Sequence, residues 1–177
     1  MLLKQVVTRK NLIKEGLTPA KIKAMTISLS LFPTPFEQIY YVPTPEERKS
    51  SSLDKPRIVL TRAIASYLDT KGFYYSCRTA EEHWGIKWQP AGEVHVVNEK
   101  LSRTINLSER RKRNEAKTTW RAKRIAKILG YYGSKIVFHR AGPSIHEAKF
   151  KQTPYGSYAL RSQIKKDKKK FREKESE

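Results

Sequence analysis

The sequence predicts an α+β fold: a small N-terminal helical module with one strand, then a mixed α/β domain, then a basic C-terminal tail. Three observations carry this reading. Threonines that open helices stand at Thr8 and Thr18, each ahead of apolar positions at helical spacing. Alternating apolar runs recur at 36–42, 93–99 and 135–140. Finally, 38% hydrophobic and 10% aromatic residues are too much apolar material for a disordered polycation. A chain of 177 residues is then one ordinary domain or two small ones.

Taken in order, Thr8 precedes RKNLIKEG, a short helix with Leu12 and Ile13 on one side and Gly16 as its stop. Thr18-Pro19 opens a second helix, with threonine as N-cap and proline in the first turn. In AKIKAMTISLSLF the positions Ile22, Met25, Leu29 and Phe32 keep helical spacing, which leaves Lys21 and Lys23 outside. Pro33 and Pro35 are expected to end that helix, and 36–42 reads as a strand. Two short helices, a tight turn and a strand over 1–45 match a winged helix-turn-helix with a reduced wing. A generic helical hairpin fits the same pattern. Residues 46–56, rich in serine, proline and charge, read as a linker.

The second domain is expected over 57–160. RIVLTRAIASYLDTKG reads as a helix burying Ile58, Ala65 and Leu68 and stopping at Gly72. Residues 73–77 read as a strand, with Cys77 a buried small hydrophobe. Thr79-Ala80-Glu81-Glu82 has capping-box spacing and predicts a short helix to Gly85. Strand 93–99 is expected to pair with 103–107. A basic helix over 107–129 buries Ala122, Ile125, Ala126 and Leu129, and 135–140 is a further strand. From about Tyr155 a helix is expected to dissolve into the Lys-rich charged tail, 161–177.

Charge directs the functional reading. With 37 Lys+Arg against 17 Asp+Glu the formal charge is +20, and the pI is near 10.1. An anionic partner follows, nucleic acid ahead of an acidic membrane surface. Residues 1–99 carry 14 basic and 10 acidic side chains, whereas 100–177 carry 23 and 7. Within 110–127, nine bases face one acid, and an ordinary solvated face mixes signs. Arg110, Arg111, Lys112, Arg113, Lys117, Arg121, Lys123, Arg124 and Lys127 are therefore candidate phosphate contacts. Trp120 either stacks on a base or packs at the edge of the apolar stripe. Base reading is assigned to the second helix, through Lys21, Lys23 and Thr26.

No catalytic residue, cofactor or metal is expected. The four histidines share no HExxH spacing, and no GxSxG or glycine-rich phosphate loop occurs. A single cysteine makes neither an internal disulfide nor a cysteine-based zinc site. Glu93 and His95 share a strand face, where His139 could complete a site, but the plainer reading is hydrogen-bonded strand histidines. No window approaches 18 uncharged apolar residues, and the N terminus has no run of signal-peptide length. The expectation is a cytoplasmic protein without a membrane span.

TRKNLIKEGLTPAKIKAMT with EQIYYVP, RIVLTRAIASYLDTKGFYYSCRTAEEHWGI, and EVHVVNEKLSRTINL with KIVFHR together resemble the AbiEi-type antitoxin and transcriptional-regulator family of abortive-infection systems. The resemblance covers roughly residues 1–145. It implies a non-enzymatic repressor of its own operon that binds inverted repeats in double-stranded DNA and antagonises a nucleotidyltransferase-like toxin. The DNA-reading role then falls on Lys21–Thr26 and the turn before it. The basic segment and Lys-rich tail are heavier than the family pattern, and the part after Arg140 is short. A structural RNA-binding or ribosome-associated protein, and a nucleic-acid-acting enzyme, are the alternatives.

Overall fold

The computed structural model describes residues 5–172, a mixed helix-and-sheet fold with two sheets. In chain order the elements begin β1 (Gln5–Thr8), α1 (Arg9–Lys14), α2 (Pro19–Ile27), β2 (Phe32–Pro33), β3 (Ile39–Val42), α3 (Pro45–Ser50) and α4 (Pro56–Leu68). There follow β4 (Phe73–Tyr75), α5 (Cys77–His83), β5 (Glu93–Asn98), β6 (Arg103–Asn106), α6 (Leu107–Glu115) and α7 (Trp120–Gly130). Last come β7 (Lys135–Arg140), a 3₁₀ turn (Gly142–Glu147), β8 (Phe150–Thr153), β9 (Gly156–Ala159) and α8 (Arg161–Phe171). Two units result, each from two separated stretches. The first is Met1–Thr70 with Leu107–Tyr132; the second is Lys71–Asn106 with Gly133–Glu177.

In the first unit, the Thr8 and Thr18 side chains accept from Asn11 N and Lys21 N, so both expected N-caps form. Helix α2 ends earlier than the apolar spacing suggested. Ser28 caps it, Leu29 takes a left-handed φ of 56°, and Phe32 enters a strand instead. The chain turns there because Ser30 N and Leu31 N both bond back to Met25 O, closing the last turn of the helix. The expected strand 36–42 shortens to β3, since the Thr34 hydroxyl holds a tight turn by donating to Ile39 O at 2.7 Å and accepting from Phe36 N. Sheet order is β1-β3-β2, all antiparallel. Val7, Leu12, Ile22 and Leu31 form one core cluster behind it.

The expected linker 46–56 contains a helix. In α3 the Thr44 hydroxyl accepts from Glu47 N while the Glu47 carboxylate accepts from Thr44 N, a true capping box. Glu47 is buried and also accepts from Tyr41 OH at 2.6 Å and Asp54 N at 2.9 Å. Helix α4 forms as expected but buries Val59, Leu60, Ala63 and Ile64; Ile58, Ala65 and Leu68 are only half-buried. The single expected basic helix is two helices, α6 and α7, with the break at 116–119, where Thr119 N-caps α7. Ala122, Ile125, Ala126 and Leu129 are buried as expected, joined by Ile128.

The second unit holds a six-stranded sheet of order β6-β7-β5-β4-β9-β8. Strand β5 pairs parallel with β7 and antiparallel with β4. Strand β6 therefore pairs with β7, not with β5 as expected. Residues from Phe150 form the β8–β9 hairpin before α8, so Tyr155 sits in a turn and not in a helix. The Lys-rich stretch is anchored as far as Phe171: Ile164 and Asp167 of α8 are buried, and Lys168 Nζ reaches Glu81 Oε1 at 3.1 Å. Of the expected tail, 173–177 lie outside the described residues. Helix α5 begins at Cys77, two residues before the expected capping box. That box does not form, because the Thr79 hydroxyl accepts from His95 N at 2.7 Å. Among the described residues no helix is long and apolar enough to cross a membrane.

Candidate nucleic-acid interface

The division into units regroups the charge. The basic α6–α7 segment belongs with α2, not with the rest of the C-terminal half, and the first unit carries 20 Lys+Arg against 8 Asp+Glu. On α2, Ala20, Lys21, Lys23, Ala24 and Ile27 are all exposed. At 3.6 residues per turn they span an arc of about 160°, two small alanines and an isoleucine flanked by two lysines. Such a face lets a backbone approach a groove closely, and alanine methyls can meet thymine methyls there. Thr26 differs from the two lysines: its hydroxyl donates to Lys23 O at 2.8 Å and is half-buried.

The nine basic candidates of 110–127 separate into two groups. Lys112, Arg113, Lys117 and Lys123 are exposed. Arg110, Arg121, Arg124 and the exposed Lys127 instead bond back to groups of the same unit. Arg121 donates through Nε to Ile27 O at 3.2 Å and through Nη2 to Thr26 O at 3.3 Å, at the C-terminal end of α2. Arg124 donates to Arg48 O and to Ser51 Oγ, and Lys127 Nζ donates to Ser50 O at 2.8 Å, at the C-terminal end of α3. Helix ends carry unpaired carbonyls and partial negative charge, so cations are favoured there. Arg110 Nη1 reaches Thr34 O at 3.2 Å, and burial pushes its guanidinium below the usual arginine range, opposed by nearby Glu37. Arg111 pairs with Glu115 at 3.5 Å.

Sequence reasoning missed this division although the signal was present. Arg121 and Arg124 sit beside Ala122 and Ile125 of the apolar stripe, which turns them toward the unit's own interior face. Trp120 is 69% exposed and carries the Arg124 guanidinium 4.4 Å above its ring, so it does not pack at the stripe edge. In the second unit Trp88 is 92% exposed, a further exposed π face that the sequence reading passed over.

That unit also assembles a cluster. Cys77, His95 and His139 place their ligand atoms within 4.8 Å of one another. His95 Nδ1 and His139 Nε2 lie 2.9 Å apart, and His95 Nε2 lies 3.4 Å from Glu93 Oε2. Burial, then the neighbouring His95, pushes the His139 imidazole down to about 4. The expected Glu93–His95–His139 grouping thus exists, and Cys77 joins it at the β4–α5 turn with a left-handed φ of 52°. Linear spacing hides the group because its members come from different elements. The other histidines are elsewhere: His83 stacks on Tyr158 at 3.7 Å, and His146 is exposed.

The chain matches no protein-family model, no curated protein and no solved structure.

Proposed function

We propose that the chain is a DNA-binding transcriptional regulator acting in the cytoplasm, with α2 as its reading helix in a winged helix-turn-helix made of β1, α1, α2, β2 and β3. One observation carries the proposal: the outer arc of α2 is exposed, small-residued and flanked by Lys21 and Lys23, while its C-terminal end is fixed by Arg121. A helix presented this way suits the major groove, with its N-terminal residues nearest the bases. The β1-β3-β2 order around α1 and α2, with its two-residue β2, supports a reduced wing. Lys112, Arg113, Lys117 and Lys123 supply phosphate contacts, whose affinity is sequence-neutral and salt-sensitive.

On the family resemblance, the regulator is the antitoxin of an abortive-infection pair that represses its own operon and counteracts a nucleotidyltransferase-like toxin. The test is a mobility-shift titration of the full chain on its own upstream DNA against random duplex and folded RNA of equal length. The proposal expects tighter binding to the upstream duplex at physiological salt. Equal affinity for random duplex removes the regulator claim, and preference for folded RNA favours the ribosome-associated alternative. Co-expression with an adjacent nucleotidyltransferase-like gene tests the antitoxin half by growth rescue.

A further inference from the structure

The cluster in the second unit lies on two neighbouring strands of the six-stranded sheet and on the turn that follows a third. Cys77 follows β4, His95 is on β5 and His139 is on β7, in the order β7-β5-β4. Parallel pairing sets His95 opposite Val137 and His139 opposite Val97, so both imidazoles project from the same face, two residues out of step. Ser76 N bonds to His95 O at 3.1 Å, which holds the Cys77 turn against β5. Cys77 is 0% exposed and His95 5%, so these two donors are shielded from bulk water, while His139 is half-buried.

The chemistry of this set is selective. One thiol and two imidazoles form a mixed S/N donor group of the kind that zinc takes, with metal–sulfur near 2.3 Å and metal–nitrogen near 2.0–2.1 Å. Tetrahedral coordination at those lengths separates donors by about 3.3–3.8 Å. The present spread of 2.9 Å to at most 4.8 Å brackets that range. A second observation points to the same ligand. A metal-bound histidine commonly offers its remote ring nitrogen to a carboxylate, and Glu93 Oε2 stands 3.4 Å from Nε2 of His95 while Nδ1 faces the cluster.

Although the single cysteine argues against a cysteine-based zinc site, we propose that Cys77, with the two imidazoles of His95 and His139, forms a zinc site, with Glu93 as the positioning carboxylate for His95. Binding forms one Zn–S and two Zn–N bonds and displaces the His95–His139 hydrogen bond. The Cys77 thiol proton passes to solvent, and the His139 proton moves from Nε2 to Nδ1, whereas His95 keeps its proton on Nε2 toward Glu93. The fourth position falls to a water or an incoming ligand atom. Such a site ties the β4–α5 turn to β5 and β7 and stabilises the second unit. It is independent of the DNA reading, since no donor belongs to the first unit.

The test uses the full chain, stripped with chelator and titrated with Zn²⁺ and with Co²⁺ as a spectroscopic stand-in. The expected result is one metal per chain and, with Co²⁺, an intense sulfur-to-cobalt charge-transfer band. Cys77→Ser should abolish that band, and Glu93→Gln should weaken binding about 10–100-fold at unchanged stoichiometry. Because Cys77 is fully buried, His139→Gln is the second variant; with circular dichroism unchanged, loss of stoichiometric binding supports the site. Absence of the thiolate band in the parent chain overturns the proposal. So does full-affinity binding by folded His139→Gln.

Discussion

Arg121 lies 94 residues beyond Ile27 in the chain, yet its Nε donates to the Ile27 carbonyl at 3.2 Å. The last turn of α2 is thus held by a charge from α7. Arg121→Ala should lower stability by about 1.5–3 kcal/mol, the usual worth of a hydrogen bond to a charged group. It should weaken DNA binding without changing its salt slope, because the guanidinium orients α2 and touches no phosphate in this reading. Denaturant unfolding with anisotropy titrations across salt concentrations checks both parts. A reduced salt slope would make Arg121 a phosphate contact instead.

Lys112, Lys117 and Lys123 are the converse case. Each is exposed, so alanine there should leave stability within about 0.5 kcal/mol. Each replacement should lower affinity for all duplex sequences alike and reduce the salt slope by about 1. By contrast, Lys21→Ala with Lys23→Ala should narrow the preference for the upstream site over random duplex. Competition titrations separate the two patterns.

Glu47 offers a stability test in the first unit. Its carboxylate is 3% exposed and accepts from Tyr41 OH, Thr44 N and Asp54 N. Glu47→Ala leaves those donors without their acceptor and should cost about 3 kcal/mol, whereas Tyr41→Phe should cost about 1–2 kcal/mol. Burial and the Glu47 carboxylate both raise the Tyr41 hydroxyl pKa, so its proton stays in place through the neutral range. Chemical denaturation of the two variants and their double mutant would measure the coupling.

His139 predicts a pH dependence in the metal-free protein. Burial, then His95, holds its imidazole near 4, against about 6.5 in an unfolded chain. The folded state therefore favours the neutral ring. Stability from this group is complete above pH about 6.5, falls as pH drops from there toward 4, and is flat below. His139→Gln should remove that part of the slope, as read from unfolding midpoints between pH 7 and 4.

What was legible in the sequence was mostly local. Thr8 and Thr18 announce their helices because an N-cap acts within three residues, and the α7 stripe shows because its period is helical. Long-range competition defeated the rest. Thr79 has capping-box spacing, but His95 N takes its hydroxyl, while the true capping box at Thr44 and Glu47 was hidden in a serine- and proline-rich stretch. Strand β6 was expected beside β5, but the parallel β5–β7 pairing, set by residues some forty positions apart, takes that edge. The Cys77 cluster was half visible: alternation put Glu93 and His95 on one face, whereas nothing local says that the chain turns into a helix at Cys77. In the Lys-rich stretch, charge outweighed the one cue to order, Ile164 and Asp167 at helical spacing.

The interleaving of the two units bears on how the protein is made. As the nascent chain emerges, α2 and α3 are complete before Arg121, Arg124 and Lys127 have been translated. Their C-terminal carbonyls must wait while residues 71–106, which belong to the other unit, leave the ribosome. Helix α2 is therefore locked late, only after translation has passed Tyr132. A ribosome stalled before that point holds a chain whose α2 is built but not yet braced by α7.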